Sequence, residues 1–194
     1  EGDSTTEMVA RLHRQLGADL VVAGSYSIVG APDDGLLRVD LRLRDASTGE
    51  VVEESGDRGT PRQIFELLER EGDTLRVAAG VGTLSPSEAM EVKASWPADP
   101  EAARLFSSGL QSLRRLDASA ARDALQRAAE IEAEHPLIHA NLAEALSELG
   151  YEQLATDAIV IARDNASGLS NSMSRLIDAS YYELSGQMNR AVTI

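Results

Sequence analysis

The stretch Leu142–Ala162, LAEALSELGYEQLATDAIVIA, decides the fold of the second half of the chain. Alanines and branched apolar residues recur on both sides of a Gly150-Tyr151 break, the pattern of a helix, a tight turn and a second helix. Outward from this stretch the pattern returns. Ala121, Leu125 and Ala128 lie 34 residues before Ala155, Ile159 and Ala162; Leu105 lies 34 before His139, and Gly109 lies 34 before Ala143. A further copy follows with a shift of 36, from Gly150 to Gly186 and from Ala155 to Ala191. A period of this length marks helix–turn–helix units that bury their apolar faces by stacking on one another.

These positions resemble the tetratricopeptide repeat (TPR). That family places a small residue where its two helices cross, here Gly109, Ala143 and Ala179. It places alanine early in the second helix, here Ala121, Ala155 and Ala191, and again at Ala128 and Ala162. Helices approach closely only where no side chain intervenes. The second copy matches best, through Leu142, Ala143, Leu146, Gly150, Tyr151, Ala155, Ile159 and Ala162. In the first, Ser108 and Ser112 replace the usual Leu and Tyr; in the third, Asp178 replaces Leu while Tyr182 and Gly186 fit. The resemblance implies an all-α, TPR-like superhelical array over residues 101–194, of about two and a half repeats. Ile194 then falls inside the second helix of the third repeat, so the chain reads as a fragment of a longer protein.

Composition narrows the function. The net charge is −14, made of −8 over residues 1–95 (10 basic, 18 acidic) and −6 over 96–194 (8 basic, 14 acidic). Acidity spread through both halves repels a polyanion, so a nucleic-acid partner is not expected. Without cysteine there is no disulfide, thiolate nucleophile or cysteine metal site. No apolar run is long enough to span a bilayer, so no membrane insertion is expected.

The first half alternates. Thr5–Leu16 reads as an amphipathic helix with Met8, Val9, Leu12 and Leu16 on one side, a capping box from Ser4 to Glu7, and Gly17 as its stop. Asp19–Val29 reads as a strand, and 31–35 as a Pro-Asp-Gly turn. In Leu37–Asp45 the apolar Leu37, Val39, Leu41 and Leu43 alternate with Arg38, Asp40, Arg42 and Arg44, a strand with one face buried. Asp45–Glu50 makes the next turn and Val51–Glu54 a short third strand, which together give a three-stranded antiparallel meander. A helix from Pro61 to about Ala79 should cover it with Ile64, Phe65, Leu68, Leu75 and Val77 inward, although Gly72 interrupts the pattern. Residues 81–100 read as a linker with a short helix at Pro86–Val92, and Trp96 as a residue docking under the first repeat.

Leu16–Tyr26, the alternating strand and Asp45–Val52 are similar to the TolB-like or FlgO-like α+β domain that often precedes TPR repeats in bacteria. The resemblance implies an α+β domain over residues 1–80, flanked by helices and incomplete here, its first strand and helix lying upstream of Glu1. With Leu105–Leu110 and Ala121–Asp123 following, the whole resembles the C-terminal regulatory region of bacterial eukaryotic-like serine/threonine kinases. It also resembles the tails of some winged-helix transcription regulators and adenylate cyclases. Such a region is not itself an enzyme; the parent chain would carry the kinase domain, on either side of the membrane.

Catalytic patterns are missing from the sequence. The only lysine is Lys93, and no glycine-rich loop ends in the Gly-Lys-Ser/Thr of a phosphate site. Gly56–Pro61 reads as a turn entering a helix. His135 and His139 are four apart, but Pro136 starts the helix between them. His135 then lies outside the regular helix and His139 reads as packed between helices; Glu132 and Glu134 could add oxygen ligands, but no metal and no cofactor is assigned.

A recognition surface remains: the first helices of successive TPR units line a groove for a protein or peptide. By register its partner-binding positions are Phe106, Leu110, Leu113 and Arg114, then Ala140, Asn141, Glu144 and Glu148, then Leu176, Ile177 and Ser180. A mixed apolar and acidic groove fits a partner with apolar anchors and positive charge. The alternative is a small-molecule or cell-envelope sensor built on the α+β domain, with the repeats as spacer.

Overall fold

The computed structural model describes residues 2–31 and 35–187, without the side chains of residues 2–6, 62 and 65. The expected turn residues 32–34, an inward Phe65, Ala191 and Ile194 lie outside that description. The chain divides into two compact units, Glu1–Leu84 and Ser85–Ile194.

The first unit runs α1 (Gly2–Leu16), β1 (Leu20–Val29), β2 (Leu36–Asp45), β3 (Val51–Gly59), a 3-10 turn (Pro61–Gln63) and α2 (Ile64–Ala78). Helix α1 begins before Ser4, so Ser4 is not its cap. Gly17 ends the helix in the left-handed region, its N–H donating to the His13 carbonyl at 3.0 Å. The three strands form an antiparallel sheet in the order β1-β2-β3, the expected meander. As the alternation requires, Leu37, Val39 and Leu43 are buried, while Arg38 and Arg42 are exposed on the other face. In the turn at 45–50 the Asp45 carboxylate accepts from Ser47 Oγ and from the N–H groups of Thr48 and Ser47, which lowers its pKa to about 2.

Strand β3 continues five residues past the expected Glu54, to Gly59. Residues 56–59 are therefore strand rather than turn, and Thr60 with Gln63 forms the capping box that starts the next helix. Register places Gly59, Asp57, Ser55 and Glu53 opposite Leu37, Val39, Leu41 and Leu43, so β3 turns a polar edge toward α2. The helix answers with matching chemistry. Leu67 lies over Gly59, Arg70 pairs with Asp57, and the buried Glu71 accepts a hydrogen bond from Ser55. The covering face thus runs Ile64, Leu67, Glu71, Leu75, and Leu68 and Val77 point outward, contrary to expectation. Gly72 does not break α2.

The second unit runs α3 (Pro86–Ala94), α4 (Pro100–Arg114), α5 (Ala118–Ile131), α6 (Pro136–Glu148), α7 (Glu152–Asp164), a 3-10 turn (Ala166–Gly168) and α8 (Asn171–Leu184). Helix α3 belongs to this unit: Ala94 packs on its core, and a Cβ at Gly168 would lie 3.5 Å from that of Ala94. Three-residue connections fold α4 back on α5 and α6 back on α7. The pairs then pack in sequence, α5 on α6 and α7 on α8. One continuous core holds Leu105, Phe106, Leu125, Ile138, Ala143 and Ile159. Burial of each large member contributes about 1.5–3 kcal/mol.

Candidate functional site

The helical unit repeats at the level of single hydrogen bonds. At the end of α4 the Asp117 N–H donates to the Ser112 carbonyl at 2.9 Å, and Leu116 to Leu113 at 2.8 Å. At the end of α6 Tyr151 donates to Leu146 at 2.9 Å, and Gly150 to Ser147 at 2.9 Å. At the end of α8 Gln187 donates to Tyr182 at 2.7 Å, and Gly186 to Glu183 at 3.1 Å. The same motif stands at spacings of 34 and 36, and its central residue has positive φ each time: Leu116 60°, Gly150 79°, Gly186 72°. The other ends also correspond. Asp99, His135 and Ser170 cap α4, α6 and α8, each side chain accepting from a backbone N–H of the first turn.

Helix α6 touches both α4 and α8, so these three helices are neighbours. The expected partner-binding residues lie on them but divide by burial. Phe106, Leu113 and Ile177 are in the core, 3%, 8% and 3% exposed, and face neighbouring helices rather than solvent. Leu110 and Ala140 are half-buried against that core. The Asn141 amide donates back to the Leu137 carbonyl at 2.7 Å, engaged with its own helix. Arg114, Glu144, Glu148, Leu176 and Ser180 are exposed. Glu144 and Glu148 stand one turn apart; partial burial, and then the charge of Glu148, raise the Glu144 pKa.

A cluster stands at the start of α6, and in it Trp96 docks on α4 as its position in the sequence suggests. The Phe106 ring meets Trp96 edge-on, centroids 6.0 Å apart at 82°, and His135 at 6.0 Å and 52°. His135 Nδ1 accepts from the Ile138 N–H at 3.3 Å, and His139 Nε2 donates to the Ala133 carbonyl at 2.7 Å. Their remaining nitrogens, His135 Nε2 and His139 Nδ1, are buried, and the Trp96 carbonyl lies beside the His135 ring. Among the described residues no group of three or more His, Asp or Glu side chains could hold a metal ion. No described helix is long and apolar enough to cross a membrane.

In the first unit, a depression of about 450 Å³ is lined by Glu53, Asp73, Thr74, Val77, Ala78 and Thr83. It brings together two carboxylates and no cation or nucleophile paired with a base. Compared with known proteins, the sequence matches no family model and no curated protein.

Proposed function

We propose that the helical unit is a TPR-type array that binds a protein or peptide, as the non-catalytic recognition region of a larger bacterial signalling protein related to serine/threonine kinases. The observation that carries this reading is the thrice-repeated helix end, with Asp117, Tyr151 and Gln187 making one hydrogen bond at spacings of 34 and 36. Units related in this way stack their first helices side by side, and that layer is where such arrays accept an extended or helical ligand. Here it offers Leu176 and the edge of Leu110 as apolar anchors and Glu144 with Glu148 as its charge. Two carboxylates one turn apart repel each other, and a cationic side chain between them relieves that cost. The partner is accordingly a segment with apolar anchors and at least one Lys or Arg.

The test is recovery of partners from the native bacterium with the wild-type chain and with Glu144→Lys/Glu148→Lys. Loss of a partner that a synthetic segment of that partner restores to the wild type alone supports the groove; equal recovery by both proteins refutes it. The depression beside Glu53 and Asp73 supports the second reading, a small cationic ligand sensed by the α+β unit. Ligand-induced shifts confined to Glu53, Asp73 and Thr83 would favour that reading.

A further inference from the structure

Three helices that occupy matching places in the repeat begin on an Asp, a His and a Ser. Only the middle one carries a cap that changes charge near neutral pH. Its capping bond requires a neutral ring, because Nδ1 must keep a lone pair for the Ile138 N–H. The proton of neutral His135 therefore sits on Nε2. A second proton can go only to Nδ1, where it turns the acceptor into a donor facing another donor.

The same ring is one face of the Trp96–Phe106–His135 stack. Pro97 is fully buried, Ala94 packs on the core, and the Asp99 N–H donates to Glu132 Oε1 at 2.6 Å. The segment from Ala94 to Asp99 is thus fastened beside the cap. We propose that His135 is an acid-operated latch: its protonation breaks the α6 cap, opens the stack, and releases Trp96 and the end of α3 from the helical unit, baring Phe106. This goes beyond the partner-binding reading and does not depend on it.

The charged groups around the ring set the direction. Burial opposes the proton most strongly, and His139, one turn along α6, opposes it too. Glu132 at the end of α5 favours it, as do the carbonyls of Trp96 and of His135 itself. The Asp99 carboxylate is turned to the N–H groups of Glu101 and Ala102. The net result is a pKa below the ordinary 6.5, so the latch stays closed at neutral pH.

Trp96 is the only tryptophan and reports on the latch directly. Its fluorescence is followed from about pH 7.5 to about pH 4.5, with far-ultraviolet dichroism to confirm that the helices persist. The expected result is a single reversible transition with its midpoint below 6.5. It disappears in His135→Asn, whose side chain caps without titrating, and remains in His139→Gln. NMR of the unsubstituted protein gives a second reading: the His135 imidazole and the Trp96 indole resonances move with one midpoint. A transition that survives His135→Asn, one that vanishes in His139→Gln, or two unequal NMR midpoints would overturn the proposal.

Discussion

Gly109 of α4 lies so close to Leu125 of α5 that a Cβ placed on the glycine would sit 2.5 Å from the Leu125 Cγ. The atom in the way is the branch point of the leucine, not a free end that can swing aside. In the next pair of helices the matching residues, 34 along, are Ala143 and Ile159, both buried. The second crossing holds a methyl group because its partner branches at Cβ and so has a different shape. Gly109→Ala is therefore expected to destabilise. The overpacking costs about 1–3 kcal/mol, against a gain of about 1 kcal/mol for replacing a helical glycine. Leu125→Ile in the same chain copies the second crossing and should recover most of the loss. Urea denaturation of both variants checks this; a Gly109→Ala chain as stable as the wild type would remove the close approach from the account.

Glu144 carries a second prediction. Its folded-state pKa is raised, first by burial and then by Glu148, so the ionised form is disfavoured in the native state. For a carboxylate shifted upward, the penalty is present above the folded pKa and vanishes as pH falls below the unfolded value of 4.5. Glu144→Gln should thus be more stable than the wild type near neutrality, by about 0.2–0.5 kcal/mol for the lost like-charge pair. The two stabilities should converge near pH 4. If the groove binds a cationic segment, the same substitution weakens binding while it stabilises the chain. Paired thermal melts and titrations with the partner peptide separate the two effects.

Much of this architecture is legible in the sequence because it rests on short-range patterns. The alternation of Leu37, Val39 and Leu43 with Arg38 and Arg42 fixes the faces of β2, and the 34-residue recurrence fixes where helices cross. What the sequence hides depends on a partner distant along the chain. Glu71 reads as a solvent residue until β3 is seen to place Ser55 opposite it. Phe106 reads as a groove residue until Trp96 and His135 are found in contact with its ring. Glycines 56 and 59 suggest a turn in isolation, yet register with β2 holds them in a strand. The exposed part of the candidate site, Glu144 with Glu148, was readable because both lie on one face of one helix.

Helix α8 is tied to α7 through Arg163. The Arg163 Nε donates to Asp178 Oδ1 at 2.7 Å, and its guanidinium lies 4.4 Å from the Tyr181 ring centroid and 5.5 Å from that of Tyr182. Arg163→Ala should cost about 0.5–1 kcal/mol, mostly through the aromatic contact. Arg163→Lys should recover little of it, because an ammonium cannot stack and donate in the same plane. Hydrogen exchange localises the effect: faster exchange in residues 171–184, with 136–148 unchanged, is the expected pattern. Uniform acceleration would mean that the pair does not act locally.

Leu116 offers a change that should strengthen the protein. It is the only non-glycine with positive φ among the described residues, at 60°, and it stands 34 before Gly150, which does the same work at 79°. Both close the same hydrogen-bonded end of a first helix. In the left-handed region a side chain with a Cβ costs roughly 1–2 kcal/mol, whereas glycine enters it freely and is the usual residue at that place. Leu116 is 82% exposed, so removing its side chain sacrifices almost no burial. The glycine loses more backbone entropy on folding, about 0.5–1 kcal/mol, which offsets part of the gain. Leu116→Gly should still stabilise by about 1 kcal/mol or slightly less. The reciprocal Gly150→Leu should destabilise by a similar amount, for it imposes on the end of α6 the strain that the end of α4 already carries. Thermal melts of the two single variants and the double exchange form a closed test. The helix ends are independent, so the double variant should return close to the wild-type midpoint, and a large departure would show that the two turns are not equivalent.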